Sequence, residues 1–343
     1  MIRRRGHRRL AAAVALGCAL APAIAPTSAI AADRKADRAA AELAQFHARD
    51  QMLQDIGWQL VTGNAPFCGD AQPSVGLQMV DMAVFADPAA MRSALGLTGD
   101  FAVQTAAAGS PAASLPADTE IIALEGESLA NWPAAPASHW QRLARLHDAI
   151  DAGLAATGTV SLTRADGSVA VLDAVPACPT RFELASGHGR ALAEGKRVIL
   201  GEKFAGFGYP REELAAAIAH ELAHNLLGHR AWLDRHGRER RNVRAAEREA
   251  DRMMPWLLAN SGYDPAAALR FMQNWGPNDS AGLFRARSHE GWDERAEHIA
   301  AELARLAAAP IDPRGSMSAK DWSAHFQREL AEDGSLRPLT VAR

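Results

Sequence analysis

Residues 219–229 read "AHELAHNLLGH". Three histidines and one glutamate stand in a stretch otherwise built of Ala, Leu, Asn and Gly. On a helix, positions i and i+4 lie on the same face. His220 and His224 therefore project together, one turn apart, and two imidazoles so placed can share a zinc ion. Glu221 is one residue round, beside such a metal rather than on it. There it can take a proton from water that the metal has made acidic, which is the work of a general base. The flanking "AAAIA" and "LL" make the helix apolar. An apolar helix does not bury two histidines and a glutamate without partners, because their desolvation costs too much.

A catalytic zinc usually takes three protein ligands and keeps one position open. The metzincin pattern would put the third ligand six residues after His224, where Arg230 stands, so that class is excluded. His229 lies half a turn off the His220 face, which suits helix capping or a hydrogen bond to a ligand better than ligation. "AAEREADRMM" offers carboxylates instead. Glu247 and Asp251 are i and i+4 and share a face, so one can bind zinc while the other orients a ligating histidine through its free ring nitrogen. Glu249 is two residues from Glu247, a turn of about 200°, so only one of the two can face the histidine pair. If Asp251 holds the ring of His220, Glu247 is the ligand and Glu249 is a solvated surface charge. His188, His236 and His298 read as surface histidines.

His220-Glu221-x-x-His224 with Gly228-His229, followed by Glu247-x-x-Ala250-Asp251, resembles the CAAX prenyl protease and HtpX-like gluzincin metallopeptidases, in a soluble, exported form. The resemblance covers roughly residues 178–306. It implies one zinc ion on His220, His224 and Glu247, with Glu221 as catalytic base. "SHEGWDER" resembles that family's Ser-Thr-His-Pro segment and following arginine. His289 and Arg295 keep the spacing, and Glu290 replaces the proline. The resemblance implies that His289 stabilises the oxyanion or covers the metal, and that Arg295 supports the site.

The elements that must position these residues follow from periodicity. Leu43, Phe46, Leu53, Ile56 and Leu60 recur at three-to-four spacing and predict a helix over 33–63, which "GNAPFCGD" ends. Strands are expected at "SVGLQMVDMAVF", "DFAVQT" and "TEIIALEG". "SHWQRLARLHDAIDAGLAA" is an amphipathic helix. "GTVSLTRADGSVAVLDAV" reads as a hairpin turned at Asp166-Gly167. After residue 178 one strand, "KRVILG", precedes a series of helices: the metal helix, one from about Ala245 to Asn260, "PAAALRFMQNW", one after "SHEGW", and a terminal helix after residue 311.

"GSPAASLPADTEIIALEG" resembles the core of a PDZ domain. "ALGLTGDFAVQT" is then the peptide-carboxylate loop and the strand that pairs with a ligand, since such domains add an extended peptide C-terminus to an open strand edge. The expected fold is therefore α+β: a mainly helical gluzincin domain with a short sheet, and an inserted PDZ-like domain. The segments are 1–32 signal peptide, 33–75 N-terminal helix, 76–176 PDZ-like domain, 177–310 metallopeptidase domain and 311–343 extension.

The opening "MIRRRGHRR" has five arginines and no acid; an apolar run and small residues up to Ala31 and Ala32 follow. This is the pattern of a secretory signal peptide. Without those arginines the chain holds 32 basic against 40 acidic residues, a balance unsuited to coating nucleic acid. No later apolar run reaches membrane length, so a soluble periplasmic or secreted protein without a transmembrane anchor is expected. Cys18 leaves with the signal. Cys68 and Cys178 remain, an even number in an oxidising compartment, and they predict a disulfide at the neck of the insertion.

The function expected is an exported zinc endopeptidase acting on unfolded or extended protein substrates, with a role in envelope protein quality control. Substrate would lie along the edge of the sheet that holds "KRVILG". The alternative is a zinc-stabilised binding or chaperone-like protein with little turnover.

Overall fold

The computed structural model describes residues 28–132, 139–277, 291–315 and 319–338; within 28–40 only the side chain of Arg38 is described. The chain divides into two compact units, 1–44 and 45–343. The first is described only as the opening turns of α1 (Ser28–Asn64). In the second, Leu53, Ile56 and Leu60 of α1 are fully buried, the stripe that their spacing demands. Asn64 ends the helix fully buried. Its amide donates to Leu257 O at 3.1 Å and accepts from Asn260 at 2.9 Å and from the Trp322 indole at 3.1 Å.

The protein mixes helix and sheet, as expected of an α+β chain. Two apolar cores account for most of it. One gathers Met79, Phe101, Val103, Ile121, Leu146, Ile150, Val160 and Leu172, all from residues 75–172. Its elements are β2 (Leu77–Asp81), β3 (Phe101–Ala106), β4 (Ile121–Leu124), β5 (Glu127–Ser128), α3 (Gln141–Thr157), β6 (Thr159–Arg164) and β7 (Val169–Asp173), while α2 (Pro88–Leu95) packs in a small separate cluster with Met82 and Leu97. β2 and β3 pair antiparallel, and β5-β4-β6-β7 form a second antiparallel sheet. The β6–β7 hairpin turns at Gly167, φ +81°.

β1 (Gln72–Ser74) and β8 (Val175–Ala177) bracket this region and pair with each other, Gln72 opposite Ala177. Beside them Cys68 and Cys178 are joined, Cα atoms 5.6 Å apart. A ladder and a covalent bond thus close the same neck. Closing a loop of this length restricts the unfolded chain by roughly 4–5 kcal/mol in the entropy model.

The larger core holds α1, β9 (Arg181–Ala185), β10 (Ala191–Ala193), β11 (Arg197–Gly201), α4 (Arg211–Leu226), α6 (Arg240–Asn260), α7 (Ala267–Trp275) and α8 (Trp292–Ala308). β11, the "KRVILG" strand, is the middle of its sheet, antiparallel to β10 and parallel to β9. The edges of that sheet are therefore β9 and β10. β9 and β10 were not anticipated; they are short and carry no alternating pattern long enough to read.

The tail from residue 311 holds the expected terminal helix as α9 (Trp322–His325), the only helix among its described residues. It is no appendage, because Ala319 is fully buried, and Trp322, Glu329 and Leu330 are under 10% exposed. The strand expected to receive a ligand, β3, has no open edge. β2 covers one side, and on the other Val103 N donates to Thr119 O and Asp118 N to Val103 O, at 2.9 and 2.8 Å. The outer edge of β2 faces α3, and side chains of α3 occupy it: Met79 N donates to His147 Nε2 at 3.4 Å, and Arg142 grips both Asp81 oxygens at 2.7 and 2.5 Å.

Candidate metal centre

α4 starts after Pro210 with Glu212 and Glu213 in its first turn, charges that suit the positive end of a helix. Every residue from Glu213 to Ala223 is buried. A helix covered all round must satisfy its polar members from its neighbours, and α6 does so here. The Nε2 atoms of His220 and His224 lie 3.1 Å apart. Glu247 of α6 straddles them, Oε2 3.4 Å from His220 Nε2 and Oε1 3.6 Å from His224 Nε2. The helical phase placed Glu247 and Asp251 on one face, and Asp251 Oδ1 indeed meets His220 Nδ1 at 3.1 Å. Arg295 of α8 takes both Asp251 oxygens, at 2.6 and 2.5 Å.

These residues fit a metal ion. A tetrahedral site with bonds of about 2.0–2.1 Å has ligand–ligand edges of roughly 3.3–3.4 Å; the two nitrogens are 3.1 Å apart, each has a different Glu247 oxygen at 3.4 or 3.6 Å, and one atom from each residue lies within 4.8 Å of the others. Glu247 Oε2 is buried and makes no hydrogen bond, a lone pair without an acceptor's usual work. Among the described residues, His220, His224 and Glu247 are the only group of this kind. The histidine and glutamate side chains at its rim are 15% exposed for His224 and 18% for Glu247, against 4% for His220. The open side of the cluster is therefore theirs.

The electrostatics divide the groups. Burial penalises a charge on His220, but Asp251 and Glu247 outweigh it and push the ring up to about 10. Burial takes His224 down to about 3. Glu247 is held well below the usual carboxylate range: burial opposes this, and His224, His220 and Arg295 prevail. Burial, with Glu247 adding to it, pushes Glu221 up to about 7 against the pull of His220 and Arg295. Glu221 is 4% exposed.

Glu249 is not the solvated charge expected of it. It is fully buried. Helical phase turns it away from Glu247, but that opposite side of α6 is covered as well, by α5 (His229–His236) and residues 328–331. Glu249 Oε2 meets His229 Nε2 at 2.9 Å, and His229 Nδ1 meets His224 Nδ1 at 2.8 Å. His229 thus hydrogen-bonds a histidine of the cluster. Gly228 makes this approach possible, because its φ of +67° turns the chain sharply out of α4 in the conformation that glycine adopts most readily. His188, His236 and His298 are half-buried. His289 lies outside the described residues.

No protein-family model, curated protein or solved structure matches the chain. Among the described residues no helix is long and apolar enough to cross a membrane.

Proposed function

We propose that the protein is a zinc-dependent peptide hydrolase. The observation that carries this reading is the convergence of His220, His224 and Glu247 on one point, with the orphaned Glu247 Oε2 among them and Glu221 buried alongside. Two nitrogens and one carboxylate oxygen are a donor set that suits zinc with a position left open. A bound zinc ion would supply Lewis acidity toward a water and a peptide carbonyl. The chain's own groups do the rest. Asp251, pinned by Arg295, holds the ring of His220 so that Nε2 faces the cluster. Glu221 receives the proton of the attacking water and delivers it to the departing amine. Burial raises the proton affinity of Glu221, so that it can take up the water's proton, and holds it close to its partners.

The residue pattern His220-Glu221-x-x-His224 and Glu247-x-x-Ala250-Asp251 supports membership of the CAAX prenyl protease and HtpX-like gluzincin group, and residues 75–172 with their own core support an inserted PDZ-like domain. The Cys68–Cys178 bond and the arginine-led N-terminal segment support export. Extended substrate would pair with β10, one of the two edges of its sheet, where Leu192 is 44% exposed.

The test is zinc content measured together with hydrolysis of unfolded casein, with and without a chelator. Glu221→Gln is expected to keep zinc and lose at least 100-fold in rate, the usual weight of a general base. A Glu221→Gln protein as active as the original would refute the assignment. A zinc-loaded original that cleaves nothing would favour the binding-protein alternative.

A further inference from the structure

His224 is gripped on the side away from Glu247 by groups that peptide hydrolysis does not use. We propose that His229 and Glu249, clamped by residues 328–330, fix His224 in the tautomer that offers Nε2 to the metal, so that the C-terminal segment is a positioning part of the metal centre. This rests on the reading of His220, His224 and Glu247 as ligands.

Glu249 is ringed by hydrogen-bond donors from residues 328–330. Arg328 Nε donates to Oε2 at 2.8 Å, Leu330 N to Oε1 at 2.8 Å, and Glu329 N also to Oε1. The remaining neighbour is His229 Nε2 at 2.9 Å. A carboxylate can only accept, so His229 carries its proton on Nε2. Arg328 already balances the charge of Glu249, and His229 is 1% exposed, so the ring is neutral and its Nδ1 is bare. His224 Nδ1 lies 2.8 Å from that bare nitrogen. One of two such atoms must donate, and only His224 has a proton to give. His224 is therefore protonated on Nδ1, and its Nε2 lone pair is free on the side of His220 and Glu247. Each assignment forces the next, from the tail of the chain to the ligand.

The clamp is itself anchored. Arg328 Nη2 donates to Leu227 O at 2.9 Å, one residue before the Gly228 turn. Glu329 accepts from Arg248 at 2.7 Å and from Arg252 at 3.1 Å. The Trp232 indole of α5 donates to Ala331 O at 2.7 Å. A ligating histidine whose far nitrogen is held in this way enters the metal site already oriented, and loss of such a partner typically costs 10–100-fold in metal affinity.

Glu249→Gln tests the chain of tautomers. The amide has one acceptor where the carboxylate had two. With its oxygen on the backbone N–H groups of Glu329 and Leu330, its NH2 takes the place of Oε2, turns aside the Arg328 Nε–H that Oε2 accepted, and faces His229, which must then accept. Both rings then invert, and His224 carries its proton on Nε2. The readout is the ring-nitrogen NMR spectrum of metal-free, histidine-labelled full chain, followed by zinc titration against a competing chelator. The original protein is expected to show His224 protonated on Nδ1 and His229 on Nε2. Glu249→Gln is expected to show both reversed and zinc bound about 10–100-fold more weakly, with cooperative unfolding retained. His224 protonated on Nε2 in the original protein would overturn the proposal, as would a folded Glu249→Gln with unchanged rings and affinity. Should Glu249→Gln not fold, the original protein's spectrum decides alone. Expected tautomers in a protein that takes up no zinc would sink the metal reading and leave the ring orientation standing.

Discussion

Asp251 and Arg295 join two helices beneath His220, and breaking that pair is expected to separate folding from metal binding. Asp251 is fully buried and the Arg295 side chain is 4% exposed, with two charge-assisted bonds of 2.5 and 2.6 Å between them. Removing one member of such a pair is typically worth about 3–5 kcal/mol, against a total stability of only about 5–15 kcal/mol for a domain. Arg295→Met is therefore expected to lower the urea midpoint of the metal-free protein steeply. Adding Asp251→Asn neutralises the stranded carboxylate in nearly the same volume. The double variant should regain about 0.5–3 kcal/mol, the usual coupling between groups in contact. Zinc affinity should not follow. The asparagine oxygen still accepts from His220 Nδ1 but without the negative charge, so the double variant binds zinc about 10–100-fold more weakly, while Arg295→Met frees the carboxylate from its anchor and leaves it on the ring. Urea unfolding and zinc competition on the two variants check this. Arg295→Met within 0.5 kcal/mol of the original, an estimate of the surface-substitution range, would refute the reasoning, as would a double variant less stable than Arg295→Met.

Glu247→Ala should lose most bound zinc, since it removes one of three donors; full zinc by elemental analysis would mean that the cluster is not the site. Cys68 and Cys178 should resist alkylation in denatured protein until a reductant is added, and replacing both by serine should cost roughly 4–5 kcal/mol in urea; labelling without reductant would show free thiols. His147 gives a pH dependence. Burial, with the Arg181 charge adding to it, takes its pKa down to about 3, below its unfolded value near 6.5. The unfolded chain then binds a proton that the folded chain refuses, so stability falls as pH drops below about 6.5, by roughly 2 kcal/mol between pH 7 and 5. His147→Gln should flatten that part of the profile, and identical slopes would reject the assignment.

What the sequence revealed about the site came from short-range helical geometry. The i, i+4 pairs His220/His224 and Glu247/Asp251 each sit within one helix, where a fixed rotation per residue decides the face. A separation of two positions between Glu247 and Glu249 was enough to say that they point apart, but not that the second direction is also buried. That depends on residues 328–330, about 80 positions away in sequence, for which no local pattern exists. The meeting of His229 with His224 depended on one backbone angle at Gly228. The inner helices were legible because their apolar stripes are long. β9 and β10 were not, being three to five residues each. β3 was misjudged because alternation predicts a strand and says nothing of how many neighbours it has.

Asn64 gives the molecule an order of assembly. Its partners Leu257, Asn260 and Trp322 lie 193, 196 and 258 residues downstream, while the two cysteines are separated by 110. As the chain emerges from its N-terminus, the neck can close, and α1 can meet residues 104–108 through Asp50, Gln51 and Asp55, long before Asn64 has its partners. Contacts of such sequence separation make folding slow, and α1 must keep its apolar stripe from other chains meanwhile. The last partners to arrive are Trp322 and the residues that hold Glu249. A nascent chain therefore carries every ligand of the cluster well before it can set them, and a molecule with this geometry would become competent only once residues 328–330 have been made and docked.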